Sequence, residues 1–237
     1  MKRQLERRGI NCQWLHEQIK KLPLINFPFN PKELPYCGIY FFYEEGEFWG
    51  HGGRKPRIVR IGSCRDGNFQ SRISEHYLLD ERKMNFDSHQ SAPKDRSIFR
   101  QHLGRALLAK QKSNYSVMWK KNFTTPKERM SFGHLRDINL EKSLERQITK
   151  KIRETLSFRF IEINNQMGGS GLESRSIATV AQCGECKASP EWLGLFSPIE
   201  RIRTSGLWNV HYTDHAPITT NDMVRLKDIV HNEKSKD

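Results

Sequence analysis

Two apolar segments on either side of a polar, glycine-rich loop constrain the fold of this chain more than any other feature. Residues 35–43 are rich in aromatic side chains, and residues 57–62 contain three β-branched ones. Aromatic and β-branched residues favour the pleated backbone of a strand. The intervening residues 44–56 carry four glycines and end at a proline, which indicates an exposed loop. The two segments are therefore predicted to pair as a β-hairpin.

Most of the remaining chain shows helical periodicity. Five segments are predicted to be helices, because apolar side chains recur at helical spacing or a helix-compatible segment follows a turn. These are residues 2–22, 69–79, 98–110 and 140–156, and a later segment that carries Glu173. Strands are predicted at 158–163 and, as a short element, at 114–119, with a basic insertion at 120–136. Helices mixed with hairpin strands predict an α+β fold, a small antiparallel sheet flanked by helices.

The domain organisation is predicted to be one folded domain with extensions. Nothing in the pattern of 237 residues separates two hydrophobic cores. Four prolines between positions 23 and 35 predict an extended lead-in after the first helix. We therefore expect an N-terminal helical arm and lead-in at 1–35, the main domain with insertions at 36–221, and a charged tail at 222–237.

The charge balance points to a polyanionic partner. Forty lysines and arginines stand against 27 acidic residues, a net charge of +13. Nucleic acid is the usual partner of such a chain, because phosphates bound by Lys and Arg release counterions. Solubility alone and an anionic membrane surface are the alternatives. No stretch approaches the about 20 apolar residues of a membrane-spanning helix, and no apolar stretch follows the charged start, so a cytoplasmic protein is expected.

The cysteines do not by themselves predict a disulfide framework or a metal site. There are five, an odd number, which argues against full pairing. Cys183 and Cys186 form a lone CxxC, whereas a structural zinc site needs four ligands. Cys12, Cys37 and Cys64 stand singly along the chain. Reduced thiols are therefore predicted in preference to structural zinc.

Several chemically capable residues stand at defined places in the predicted elements. Gly38-Ile39-Tyr40 lies in the first strand of the hairpin, and Arg60-Ile61-Gly62 ends the second. Arg72 follows Gly62 by ten residues and His76 comes four later, so both project from one face of a helix. Glu173 lies at the beginning of a later helix, and Asn209 ends the stretch 205–209. Each residue taken alone would more often be a core, surface, capping or turn residue.

In this order, these residues resemble the GIY-YIG nuclease family. The stretches 99–107 and 190–194 are similar to the restriction-enzyme-like branch of that family. The resemblance covers roughly residues 36–212 and is far more specific than a single tripeptide. It implies an endonuclease that hydrolyses DNA phosphodiester bonds with a divalent metal ion, usually Mg²⁺, with Mn²⁺ as an alternative.

The resemblance also implies a role for each residue. Tyr40 would take a proton from the attacking water, and nearby cations (Arg60, Arg65 and Arg72) would lower the pKa of its phenol. His76 would accept or relay the proton. Arg72 would bind the phosphate oxygens, for which its planar guanidinium is suited. Glu173 would hold the metal ion, and Asn209 would orient Glu173 or the backbone around it. Arg60 and Arg65 would be further phosphate contacts.

The second tripeptide departs from the family pattern. Arg60 stands where the family usually has tyrosine, and arginine stays protonated and cannot act as a base. Three functions therefore stay open: a restriction-like endonuclease, a nucleic-acid-binding protein with weak or lost nuclease activity, and a repair or mobile-element nuclease specific for branched DNA. A nuclease with one site per chain must form a homodimer or act twice to cut both strands. Basic side chains in 110–129 are either DNA contacts or a solvated loop.

Overall fold

A four-stranded antiparallel sheet lies at the centre of the described residues. The structure is a computed structural model that describes residues 2–64, 67–163 and 171–234. The strands are β1 (Ile25–Asn26), β2 (Gly38–Phe48), β3 (Pro56–Cys64) and β4 (Leu156–Glu162), in the spatial order β1-β4-β2-β3. The predicted hairpin of β2 and β3 is confirmed, and β4 pairs with the other edge of β2.

Helices cover both faces of this sheet, as the α+β prediction requires. In chain order they are α1 (Lys2–Ile19), α2 (Phe69–Tyr77), α3 (Ile98–Lys110), α4 (Ser116–Trp119), α5 (Pro126–Phe132), α6 (Ile138–Thr155), α7 (Leu172–Ala181), α8 (Glu200–Ser205) and α9 (Thr220–Lys234). Apolar side chains of α1, α7 and α9 share one core cluster with the sheet. Those of α2, α3 and α6 share the other.

Strand β2 is buried on both faces, which explains its run of apolar residues. Ile39 and Phe41 point into the core with α1 and α7, and Tyr40 and Phe42 point into the core with α2 and α3. All four side chains are buried. Successive side chains of a strand point to opposite faces, so residues 39–42, which lie between two helical layers, are all apolar or aromatic. The Tyr40 hydroxyl lies where the core opens into a cleft.

The prediction of a short strand at 114–119 is wrong. The structure has α4 there, and Trp119 is fully buried beside α3. Its indole N–H donates to the carbonyl of Gln101 over 3.1 Å, and its ring lies directly over Gly104. The ring packs there because Gly104 has no side chain, so tertiary packing selects the helix over the local preference. Residues 120–136 contain the short helix α5.

Both terminal segments contribute to the core. Cys12, Leu15 and Ile19 of α1 are buried against the sheet. The segment predicted as a charged tail contains α9, of which Leu226 and Val230 are buried. No helix in the described part of the chain combines the length and apolar character needed to cross a membrane.

Candidate active site

The two tripeptides meet side by side in the hairpin. Tyr40 of β2 stands directly opposite Gly62 of β3. A Cβ atom at position 62 would lie 2.2 Å from the Tyr40 hydroxyl oxygen and 2.4 Å from Cζ. The phenol ring therefore crosses the backbone of β3 at a place where only glycine fits. Gly62 thus sets the position of the Tyr40 hydroxyl at the edge of the cleft.

We expect Gly62→Ala to damage both stability and site geometry. The added methyl group has to displace a buried tyrosine ring, and overpacking of this kind costs about 1–3 kcal/mol. Thermal unfolding should show the loss. Glu154→Ala, a substitution of an exposed side chain on α6, is the control. A melting temperature of Gly62→Ala equal to that of the wild type would contradict the proposed tight fit.

A hydrogen-bonded chain leads from Tyr40 into the core. The Tyr40 hydroxyl lies 3.1 Å from Nε2 of His76, and Nδ1 of His76 lies 2.7 Å from the hydroxyl of Ser97. Ser97 caps α3 and accepts from the backbone N–H of Arg100 over 3.3 Å. The guanidinium of Arg100 forms a fully buried ion pair with Glu145 and also donates to the carbonyl of His76 over 3.0 Å. Helices α2, α3 and α6 therefore hold the imidazole in place.

Both members of the Tyr40–His76 pair are neutral near pH 7. Burial raises the pKa of Tyr40, and the charge of Arg60 offsets this only in part. Arg60 acts in the expected direction, but the expectation of a lowered Tyr40 pKa is wrong, because removal of the phenol from water is the larger effect. Burial, with the charges of Arg60, Arg72 and Arg100, lowers the pKa of His76 well below its usual value. The imidazole is thus free to accept a proton.

Two arginines approach this pair from different sides. Arg60 is buried; it donates to the carbonyl of Trp208 over 2.9 Å, and its guanidinium carbon lies 4.9 Å from the Phe99 ring centre. Its Nε atom has no hydrogen-bond partner among the described residues. Arg72 is about 42% exposed, donates to the carbonyl of Arg96 over 3.2 Å and lies 3.6 Å from a carboxylate oxygen of Glu75. Both arginines line the cleft.

Glu173 lies in the first turn of α7, and it lines the same cleft. Gly171 begins that helix in the left-handed region at φ 97°, which glycine adopts without strain. One carboxylate oxygen of Glu173 accepts from the backbone N–H of Ser63 over 3.1 Å, and the other accepts from the Ser63 hydroxyl. No basic side chain in the described ranges forms a salt bridge with it. A held carboxylate without a cationic partner, in a cleft open to solvent, fits a hard divalent cation that keeps several waters.

Asn209 completes the edge of β3. Its side-chain oxygen accepts from the backbone N–H of Ile61 over 3.0 Å, and its amide donates to the carbonyl of Ile61 over 2.7 Å. The side chain thus takes the place of a neighbouring strand at this position. Asn209 holds the backbone between Arg60 and Gly62. An effect of Asn209 on Glu173 would pass through that segment of β3.

One cleft of about 430 Å³ contains the predicted site residues that the structure describes. Its walls include Tyr40, Arg60, Arg72, His76, Glu173 and Asn209. Arg65 lies outside the described residues. The basic side chains within 110–129 do not line this cleft.

Several polar residues of the cleft were not among the predicted site residues. Ser63, His102, Arg105 and His211 all line its walls. His102 and Arg105 are three positions apart on α3 and therefore project from the same face of that helix. This spacing is visible in the sequence. Ser63 has no such signal, because its importance comes from a contact with a residue 110 positions later.

Acid is expected to destabilise the fold partly through His102. Burial, together with Arg60, Arg105 and His211, lowers its pKa to about 3. In the unfolded chain this histidine has a pKa of about 6.5 and is protonated first as the pH falls. Its contribution to the free energy of unfolding is therefore fully present above about pH 6.5 and declines below it. Between about pH 6.5 and about pH 5 the free energy of unfolding should fall by ~1.5 kcal/mol because of this one group.

Thermal unfolding of the wild type and of His102→Gln across this pH range measures that contribution. The variant should lose less stability than the wild type as the pH falls. Parallel curves would show that His102 is protonated equally in the folded and unfolded states.

A family model described as "GIY-YIG domain" matches residues 13–236. Comparison with curated proteins gave no match, and neither did comparison with solved structures.

Proposed function

The chain belongs to the GIY-YIG domain family, and from this premise we propose that it is a metal-dependent DNA endonuclease. The GIY-YIG domain is a nuclease domain whose members generally use divalent metal ions. The observation that carries the proposal is that the Tyr40–His76 pair, two arginines and Glu173 line one cleft. Hydrolysis of a phosphodiester needs these three kinds of group: one for the proton, one for the phosphate and one for the leaving oxygen.

Tyr40 and His76 would move the proton of the attacking water. Because the phenol is neutral at rest, it would receive the proton of the water while it passes its own to Nε2 of His76, 3.1 Å away. The charges of Arg60 and Arg72 disfavour the imidazolium form of His76. A DNA phosphate would neutralise these two charges and so make His76 a better acceptor when substrate is bound.

Arg60 and Arg72 would bind the non-bridging oxygens of the phosphate. A planar guanidinium makes directional hydrogen bonds to phosphate, and Arg60 has a buried Nε atom without a partner among the described residues. Arg60 would thus serve at the second tripeptide as a phosphate contact in place of the usual tyrosine.

Glu173 would hold the divalent cation, Mg²⁺ or Mn²⁺, with Ser63 fixing its carboxylate. When bound, such an ion neutralises charge that develops on the leaving oxygen. Asn209 would keep the backbone of β3 in register between this carboxylate and Tyr40.

Cleavage at defined sequences, as in a restriction enzyme, is the form of the activity that we propose. The similarity of residues 99–107 and 190–194 to that branch supports it. Within these stretches, Arg100 donates to the carbonyl of His76, and Trp192 packs against Trp208, which lines the cleft. Pairing of two chains as a homodimer would provide two sites for the two DNA strands. The proposed compartment is the cytoplasm.

Incubation with plasmid DNA and Mg²⁺ or Mn²⁺ tests the proposal. Discrete fragments are expected from a sequence-specific enzyme, and these should vanish when the metal is chelated. A panel of linear, nicked and branched DNA distinguishes a structure-specific nuclease from a restriction-like one. Failure to cleave any of these substrates with any divalent metal would contradict nuclease activity.

A second candidate is a DNA-binding protein of the same fold without turnover. Arg60 in place of tyrosine and the raised pKa of Tyr40 favour it. It predicts binding that weakens steeply with salt and no metal-dependent nicking. A measurable single-turnover nicking rate excludes it.

A further inference from the structure

Four side chains of types that bind metal ions lie close together outside the cleft. They come from three segments that are far apart in the sequence. They are Cys12 of α1, His51 of the β2–β3 loop, and Cys183 and Cys186 of the segment after α7. One ligand atom from each lies within 4.8 Å of all the others. The three cysteines are buried, and the His51 side chain is only 3% exposed.

The spacing of these atoms matches a tetrahedral metal site. The sulfurs of Cys12 and Cys186 are 3.6 Å apart, and the sulfur of Cys183 is 3.5 Å from Nε2 of His51. A tetrahedron with Zn–S of about 2.3 Å and Zn–N of about 2.0 Å has edges of about 3.8 Å between sulfurs and about 3.5 Å between sulfur and nitrogen. A disulfide would need about 2.05 Å, and all three cysteines are free.

The surroundings of His51 are those of a metal ligand. Its other ring nitrogen, Nδ1, lies 3.1 Å from a carboxylate oxygen of Glu185. Metal-bound histidines usually donate to such a partner, which fixes the ring and leaves Nε2 as the ligand. Gly50 brings this loop against the CxxC segment, because a Cβ atom there would lie 1.9 Å from the Glu185 carbonyl oxygen.

His16 lies next to this cluster but is already engaged. Its Nε2 accepts from the backbone N–H of Ile58 over 3.1 Å, so the proton is on Nδ1, which donates to the carbonyl of Cys12 over 2.9 Å. Neither ring nitrogen is available for a metal. The ligand set is therefore three cysteines and one histidine.

We propose that Cys12, His51, Cys183 and Cys186 bind one Zn²⁺ ion. Three sulfurs and one imidazole select a borderline-soft ion and not Mg²⁺ or Ca²⁺, which take oxygen ligands. Four protein ligands leave no position for water or substrate, which is the arrangement of a structural site. The site is separate from the Glu173 carboxylate and would be occupied independently of it.

The ion would fasten three parts of the fold that are far apart in the sequence. It would link α1, the β2–β3 loop and the segment that directly follows α7. The first turn of α7 carries Glu173, so the zinc site would anchor the opposite end of the helix that presents the cleft carboxylate. Loss of zinc should therefore loosen α1 and α7 while the α2–α3–α6 side of the sheet stays folded.

Metal content of the purified full chain tests this proposal. Protein produced with added zinc should contain about one zinc per chain after dialysis. Cys183→Ser should lose most of this zinc. Cys37→Ser, a cysteine outside the cluster, should retain it and serves as the matched control. The melting temperature of the wild type should fall by several degrees on zinc removal by a chelator and recover with Zn²⁺ but not with Mg²⁺.

Cobalt substitution of the wild type needs no variant to fold. Co²⁺ added to zinc-free protein should give the intense visible bands of a tetrahedral ion together with thiolate charge-transfer absorption, and Zn²⁺ should abolish both. Wild-type protein without stoichiometric zinc, or with Co²⁺ spectra of an octahedral ion, would overturn the proposal and leave a cluster of reduced thiols. None of these readouts uses DNA cleavage, so the result is independent of the proposed nuclease activity.

Discussion

Glu173→Ala is expected to abolish DNA cleavage and to leave DNA binding largely intact. The substitution removes a carboxylate that lines the same cleft as Arg60 and Arg72. Charge neutralisation by a bound metal contributes several kcal/mol to hydrolysis, so a loss of about 10³-fold or more in the single-turnover rate is expected. The substitution leaves Arg60 and Arg72, the proposed phosphate contacts, unchanged, which is why binding should persist.

Single-turnover cleavage and DNA binding, measured on the same preparations, check this prediction. Glu154→Ala is the matched control, because that glutamate is exposed on α6 and does not line the cleft. The variant also loses the contacts between Glu173 and Ser63, so its melting temperature should be recorded beside the rates. An unchanged cleavage rate in Glu173→Ala would show that the metal is held elsewhere.

Tyr40→Phe is expected to produce the second-largest effect. The substitution removes the hydroxyl that lies 3.1 Å from His76 and keeps the ring that packs over Gly62. A positioned proton-transfer group contributes about 10²- to 10⁴-fold, so the single-turnover rate should fall by this factor. Stability should change little, because the aromatic packing remains.

Tyr77→Phe provides the control for Tyr40→Phe. Tyr77 is also buried in the core between α2 and the sheet, and its hydroxyl donates to the carbonyl of Leu156 over 3.2 Å, outside the cleft. Its cleavage rate should stay near that of the wild type. If Tyr40→Phe also cleaves at the wild-type rate, Tyr40 is a packing residue and the proton of the water leaves by another route.

Much of the fold could be predicted from local patterns. The β2–β3 hairpin follows from its strand-forming residues and the glycine-rich loop, and α3 begins and ends where its periodicity predicts. The error at 114–119 arises because Trp119 is placed by its contact with Gly104, which lies fifteen positions earlier and on another helix. Short apolar segments do not distinguish strand from helix, so such contacts decide their conformation.

The candidate site divides in the same way. Arg72 and His76 are linked by helical spacing alone, but Glu173 and Asn209 reach β3 across more than 100 residues. Their order along the chain pointed to them only through the resemblance to a family. The protonation of Tyr40 went against expectation, because burial is a property of the packed core and outweighs the nearby positive charge.

Local sequence patterns predict the β2–β3 hairpin, most of the longer helices, the excess of positive charge and the order of the candidate site residues. Residue type and periodicity act over a few positions, and these features depend on nothing further away. Tertiary structure alone decided that Cys12 and His51 join Cys183 and Cys186, that Ser63 holds Glu173, and that Tyr40 is a neutral phenol. Each of these depends on distances and on exclusion of water, which arise only when segments far apart in the chain pack together.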